Sequence, residues 1–138
     1  MRTRSDCYVD TSALIALLDR SDKDHRIFKS LFSEPPPLLT SSLVIAEGHG
    51  WFLRKYNGGR AAQFLAFIRE LPGLTMESFD STALSDAIAI TAKFPDQKLT
   101  LADAHGLSIM KEYSVKSCWS TDRHMGLTGV PLAIRQIS

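Results

Sequence analysis

Short apolar runs alternate with longer amphipathic segments along the chain. Strand-like apolar runs occur at 7–9, 38–40, 74–76 and, less cleanly, 115–121. The segments between them repeat apolar side chains every three or four residues, which predicts helices. Strands separated by helices imply a parallel sheet with right-handed crossovers. The pattern therefore predicts an α/β fold, a three-layer α/β/α sandwich around a mainly parallel central sheet.

The predicted helices begin and end at residues that favour helix termini. They span 11–18, from about 22 to the prolines after Glu34, from 41 or 42 to the break at 57–59, from there to 72–73, from 80 to about 93, and from 100 onward. Ser41 or Ser42 and Asp80 are predicted N-caps. Gly48 and Gly50 lie inside the third helix, where each costs about 1 kcal/mol relative to alanine, so packing must compensate.

Length and charge restrict the class of protein. The 138 residues predict a single domain over 1–138 with a core of its own. A net charge of +1 neither requires nor excludes a nucleic-acid partner. No apolar run approaches the roughly 20 residues of a membrane span, and no signal-peptide pattern precedes the first strand. We therefore expect a cytoplasmic protein that does not enter a membrane.

Cysteines and histidines argue against a zinc site. Cys7 and Cys118 lie in strand-like runs and are expected to be small buried thiols. The four histidines lack zinc-ligand spacing. His49 and His105 each lie two residues from an acid, so they are expected to point away from it. A hard, oxygen-liganded metal fits this chain better.

Four acids occur where chemistry is expected in such a fold. Asp10 and Asp122 each follow a predicted strand, Asp103 lies near a helix start, and Glu47 lies in a helix with apolar neighbours. The carboxyl edge of a parallel sheet is where ligands bind. Two carboxylates about 4 Å apart repel by roughly 4 kcal/mol at an effective dielectric of 20, whereas a divalent cation such as Mg²⁺ or Mn²⁺ would neutralise them. Nearby hydroxyls could orient the acids or their waters; these are Ser12, Thr100, Ser120 and Thr121.

Each aspartate also has a purely structural interpretation. Asp10 could cap the helix that follows it, Asp122 could cap the turn at 123–125, and Asp103 could stabilise a helix N-terminus by its charge. Glu47 fits this interpretation less well, because its apolar neighbours favour a paired or metal-bound carboxylate.

The motifs that carry these acids resemble the PIN-domain family, in particular its small VapC-like toxin ribonucleases. The matching stretches are Tyr8 to Leu14, Thr40 to Glu47, Leu99 to Ala104 and Ser120 to His124. The resemblance implies a Mg²⁺- or Mn²⁺-dependent endoribonuclease, often a homodimer, that a small antitoxin holds inactive. It also implies residue roles: Asp10, Glu47, Asp103 and Asp122 as the catalytic acids, the three aspartates among them as metal ligands, and Ser120 as a supporting hydroxyl beside Ser12 and Thr100.

Other functions remain open at this point. A phosphatase of the haloacid-dehalogenase type is disfavoured, since Ser12 stands where a second acid would follow Asp10. A degenerate PIN-like module that only binds RNA or protein is the main alternative. The basic residues Arg54, Lys55 and Arg60 could contact RNA or form a solvated patch, and the apolar residues Phe64, Phe67 and Ile68 could belong to the core or to an interface.

Overall fold

A computed structural model describes residues 7–136 of the chain. Its central sheet has four parallel strands: β1 (Cys7–Val9), β2 (Leu38–Ser41), β3 (Leu74–Glu77) and β4 (Ser117–Trp119). Their order in the sheet is β3-β2-β1-β4. The predicted parallel α/β architecture is confirmed. The predicted run 115–121 is a strand only over its three central residues.

Within residues 7–136, seven helices connect and cover the strands. They are α1 (Thr11–Leu18), α2 (His25–Leu31), α3 (Ser42–Lys55), α4 (Gly58–Glu70), α5 (Ser81–Lys93), α6 (Leu101–Tyr113) and α7 (Ala133–Gln136), with a 3₁₀ turn at Arg123–Gly126. Within the described residues, no helix has the length and apolar character that crossing a membrane would need. Ser41 caps α3 and Asp80 caps α5, as predicted.

Helix α2 is shorter than predicted. It begins at His25 rather than near Asp22 and ends at Leu31, before Glu34. The Asp22 carboxylate accepts the backbone N–H of Asp24 at 2.8 Å, and the N–H of Asp22 donates to the carbonyl of Asp19 at 3.0 Å. These local hydrogen bonds hold the segment in turns and delay the helix.

Alternate residues of β1 face different helical layers. The Tyr8 side chain packs against α6 at Gly106. Val9 pairs in register with Trp119 of β4, whose ring meets that of Phe32 near α2 at 4.8 Å. The same register pairs Cys7 with Ser117 and Tyr8 with Cys118, so the two cysteines point to opposite faces. Both are buried thiols that form no disulfide within the described residues, as expected.

The hairpin of α3 and α4 explains the first of the two helical glycines. A Cβ on Gly48 would lie 2.3 Å from Cζ of Phe64, so the close contact of the two helices requires glycine there. A Cβ on Gly50 would meet only the mobile end of the Arg54 side chain. Phe64 and Ile68 belong to the buried core, which decides between their two interpretations.

Candidate active site

Asp10 lies at the carboxyl end of β1 and is almost fully enclosed, with 5% of its surface exposed. Its Oδ2 accepts the Ser120 hydroxyl at 2.7 Å, while Ser12 lies at 3.5 Å. Asp10 occupies the N-cap position of α1 without a side-chain capping bond. Burial raises the pKa of Asp10 to about 6, the Ser120 hydrogen bond opposes this shift, and the charges of Asp103 and Asp122 add to it.

Two serine hydroxyls connect Asp10 to the segment after β4. The Ser12 and Ser120 Oγ atoms lie 3.1 Å apart. The backbone N–H of Thr121 donates to Ser12 Oγ at 2.9 Å, and that of Asp122 donates to Ser120 Oγ at 3.0 Å. The start of α1 and the end of β4 are thereby fixed around one carboxylate, which supports the positioning roles predicted for Ser12 and Ser120.

Asp103, Asp122 and His124 form the candidate metal group. Each offers one ligand atom, and these atoms lie within 4.8 Å of one another. His124 Nδ1 is 3.3 Å from Asp122 Oδ1 and 4.0 Å from Asp103 Oδ2. Together with Asp10, whose pKa responds to both aspartates, these residues define what we call the acid cleft.

Two of the aspartates also make the helix-capping hydrogen bonds that a purely structural role would require. Asp103 Oδ2 accepts the backbone N–H of Thr100 at 3.1 Å, and Thr100 Oγ1 accepts that of Asp103 at 3.1 Å, which is a capping box. Asp122 Oδ1 accepts the N–H of His124 at 2.9 Å. Asp10 is the aspartate for which capping offers no explanation.

Glu47 lies near the start of α1 rather than inside the metal group. Its Oε1 accepts the Thr11 hydroxyl at 2.7 Å, and its side chain is exposed. Helix α3 does bury one face through Val44, Gly48 and Phe52, but Glu47 is outside that face. The apolar neighbours that suggested an enclosed Glu47 therefore describe the other side of the helix.

Tyr8 adds a group that the sequence analysis did not identify. Its hydroxyl is fully buried and has no hydrogen-bond partner among the described residues. Burial is the main reason that the pKa of Tyr8 lies well above its usual value. Nearby charges raise this pKa further, those of Asp10, Cys118, Glu47 and Asp103. The phenol therefore stays protonated beside the acids. A Cβ on Gly106 would lie 2.8 Å from this hydroxyl and 2.7 Å from Met125 Cε, so glycine gives both side chains room.

The other sequence candidates have structural roles. His105 Nδ1 lies 2.6 Å from Ser41 Oγ, and burial lowers the pKa of His105, so its ring packs as a neutral group. Arg60 donates to the Leu18 carbonyl at 3.2 Å and stacks on Tyr56 at 4.3 Å. That arginine holds the hairpin against α1 instead of forming a free basic patch.

The acid cleft has the chemistry of a divalent-cation site. Asp10, Asp103 and Asp122 supply carboxylate oxygens, and no lysine or arginine of residues 7–135 lies within 4.0 Å of them. Oxygen ligands of this kind suit Mg²⁺ and Mn²⁺. The residues therefore fit a hard divalent metal, which would neutralise charges that the described chain leaves unbalanced.

Comparisons with known proteins identify the family of the chain. Residues 7–129 match the PIN domain. The chain is 31% identical to Ribonuclease VapC26 of Mycobacterium tuberculosis over 118 residues, which cover 83% of this chain and 85% of that protein. It is 27% identical to the 23S rRNA-specific endonuclease VapC20 of the same species over 124 residues, or 88% of this chain and 93% of the relative.

Solved structures show the same fold. The crystal structure of VapC20 from Mycobacterium tuberculosis, a Sarcin-Ricin loop cleaving toxin, superposes with a TM-score of 0.81 and covers 91% of this chain and 96% of its own, at 22% identity. A toxin-antitoxin complex from Klebsiella pneumoniae superposes with a TM-score of 0.61 over 91% of this chain and 93% of its own, at 17% identity. By its matched domain, its relatives and its fold, this chain belongs to the PIN domain family.

Proposed function

We propose that the protein is a Mg²⁺- or Mn²⁺-dependent endoribonuclease and the toxin of a toxin-antitoxin pair. The observation that carries this proposal is Asp10, a buried carboxylate without a side-chain cap bond whose pKa is raised further by the charges of two other aspartates. Burying such a group without a counter-charge is costly, so the arrangement is best explained by a bound cation. The relatives named as a ribonuclease and an rRNA-specific endonuclease support RNA as the substrate.

Each residue of the acid cleft has a proposed role. Asp10, Asp103 and Asp122 hold the metal, and Ser120 with Ser12 fixes the orientation of the Asp10 carboxylate. The Thr100 capping box orients Asp103. A bound metal would act as a Lewis acid that stabilises charge on the phosphate, and it would also activate a water molecule.

Glu47 completes the proposed set of catalytic acids from the rim of the cleft. It is exposed and held by Thr11, so it can reach solvent and substrate without occupying the metal group. His124 is an additional candidate ligand, placed between Asp103 and Asp122. The pattern Asp122-x-His124 is the sequence signal that could have identified it.

Partners and assembly follow from the same proposal. The fold is shared with a solved toxin-antitoxin complex, which supports an antitoxin partner. Exposed apolar side chains on α5, Leu84 and Ile88, lie one helical turn apart and offer a surface for a homodimer. We propose a cytoplasmic protein in which the whole chain is one PIN-like domain.

A nuclease assay tests the proposal. Protein freed of any antitoxin should cleave single-stranded or loop RNA with Mg²⁺ or Mn²⁺ and stop in EDTA. Asp10→Asn keeps the size of the side chain but removes the charge, so it should slow cleavage by about a hundredfold or more, about 3 kcal/mol of transition-state stabilisation. Equal cleavage by the variant would mean a contaminating nuclease. Retention of RNA without products would favour the degenerate binding module.

A further inference from the structure

A cavity of about 410 Å³ lies at the C-terminal ends of α5 and α6, away from the acid cleft. It is lined by Lys93, Phe94, Lys111, Leu127, Thr128 and Val130. Lys111 follows Asp103 by eight residues on α6, about 12 Å along the helix at 1.5 Å per residue. The segment with Thr128 directly follows the 3₁₀ turn that carries His124. Two segments of the chain therefore carry residues of both the cavity and the acid cleft.

The lining combines positive charge with an apolar wall, and both suit a nucleotide. Two exposed lysines supply positive charge, and none of the lining residues is acidic. Phe94, Leu127 and Val130 form an apolar wall that a base could stack on. A set of solvated surface lysines would need no such wall.

Thr128 is the observation that points to a ligand. Its hydroxyl is shielded from solvent and has no hydrogen-bond partner among the described residues. An enclosed hydroxyl without a partner is costly, and rotation of the Thr128 side chain toward the cavity would let a ligand bound there satisfy it. Nucleotides offer suitable partners in their base edges, their phosphates and the ribose 2′-hydroxyl.

We propose that this cavity binds a nucleotide of the single-stranded RNA substrate outside the cleavage position. Lys93 and Lys111 contact phosphates, the base packs on Phe94, and Thr128 hydrogen-bonds the nucleotide. Lysine contacts to phosphate make binding depend on salt, and aromatic stacking accepts any base. The inference rests on the proposed ribonuclease function, since it names a further contact for the same substrate.

Fluorescence anisotropy with a labelled single-stranded RNA of about 12 nucleotides, in EDTA to prevent cleavage, tests the subsite. Each lysine-phosphate contact contributes about 0.7 to the salt slope of log affinity on single strands, or about fivefold in affinity at 0.1 M salt. The double variant Lys93→Ala/Lys111→Ala should therefore bind about 25-fold more weakly, with a slope lower by about 1.4. Phe94→Leu should weaken binding at least about fivefold through lost stacking.

The matched control is Lys23→Ala/Lys29→Ala, which removes the same charge from exposed lysines beside and on α2. Its affinity should stay within about twofold of the wild type. Wild-type affinity and slope in the Lys93→Ala/Lys111→Ala variant, with wild-type protein that still cleaves RNA in Mn²⁺, would overturn the subsite and leave the nuclease proposal standing. A wild-type protein that neither binds nor cleaves RNA would overturn both.

Discussion

Two acidic regions contact α6, and they differ in how their carboxylates are used. In the acid cleft, Asp103 and Asp122 converge with His124 within 4.8 Å, and the charges of both aspartates raise the pKa of the enclosed Asp10. The second region is a cavity of about 210 Å³ between the end of β3, α5 and α6. Its lining contains four acids and one buried histidine: Glu77, Asp80, Asp86, Glu112 and His105.

The acids of the second cavity are spread out and partly used by the fold. Asp80 accepts the Ala83 N–H at 2.9 Å as the cap of α5, and Glu77 accepts the Tyr113 hydroxyl. Among residues 7–136 these acids do not form a cluster with ligand atoms close enough for one ion. The comparison teaches that convergence and burial define a candidate metal site, whereas the number of acids does not.

The largest expected difference between the two regions is in catalysis. Asp122→Asn keeps a side-chain oxygen for the His124 N–H but removes a charge from the metal group, so cleavage should fall about a hundredfold. Asp86→Asn removes the same charge from the second cavity and should leave the rate within about twofold. RNA cleavage rates in Mn²⁺ measure both. Equal losses in the two variants would show that overall charge, and not convergence, matters.

The next expected effect is on the pH dependence of stability. Folding raises the pKa of Asp10 from 3.8 to about 6, so its protonated form is favoured in the folded state. This raised pKa contributes about 3 kcal/mol to the free energy of unfolding. The contribution is fully present below about pH 3.8 and is lost as the pH rises through about 6.

Metal-free urea denaturation at pH 5 and pH 7.5 measures this effect. Asp10→Asn lacks this titration. The free energy of unfolding of Asp10→Asn relative to that of the wild type should therefore be higher at pH 7.5 than at pH 5, by roughly half of the total effect of Asp10 titration. Asp86→Asn should follow the wild type. A constant difference between Asp10→Asn and the wild type would mean that Asp10 is not strained by burial.

A smaller effect should separate stability from metal binding. Ser41 Oγ contacts His105 Nδ1 beside the second cavity and accepts the Leu43 N–H at 3.0 Å. Ser41→Ala leaves a buried ring nitrogen unpaired and removes a helix cap, so it should cost about 1–3 kcal/mol in chemical denaturation. The increase in stability that Mn²⁺ causes should be the same in Ser41→Ala as in the wild type.

The control is Ser42→Ala, which loses one half-buried hydrogen bond from the Phe79 N–H and should cost less stability. Loss of the Mn²⁺ shift in Ser41→Ala would show that the two regions are coupled.

The sequence predicted the elements and the edge of the sheet at which Asp10 and Asp122 lie, because both follow from local patterns. Asp10 and Asp122 each come directly after a strand, and parallel strands bring their carboxyl ends together. The caps at Ser41 and Asp80 were also predictable, since capping depends on a residue and its next three neighbours. The start of α2 was misplaced because hydrogen bonds of Asp22 compete with the helix.

The missing features depend on side-chain directions in the tertiary structure. Nothing in the spacing of Thr11 and Glu47 indicates that α1 and α3 bring these two side chains together. The buried Tyr8 hydroxyl is similar, because a tyrosine in an apolar strand gives no sign of whether its hydroxyl will find a partner. His124 was inside a recognised motif, but its position between two aspartates depends on how the 3₁₀ turn packs on α6.

The most direct test of the acid cleft is the effect of Mn²⁺ on thermal unfolding of the wild type, Asp10→Asn and Asp86→Asn, each measured with metal and with EDTA. Asp10 is the best residue to change because, unlike Asp103 and Asp122, it makes no side-chain cap bond. Mn²⁺ at 100 times its dissociation constant should stabilise the wild type and Asp86→Asn by about 2.7 kcal/mol and Asp10→Asn much less. In EDTA at pH 7.5, Asp10→Asn should be at least as stable as the wild type. A wild-type melting temperature that does not respond to Mn²⁺, together with a destabilised metal-free Asp10→Asn, would contradict the metal site.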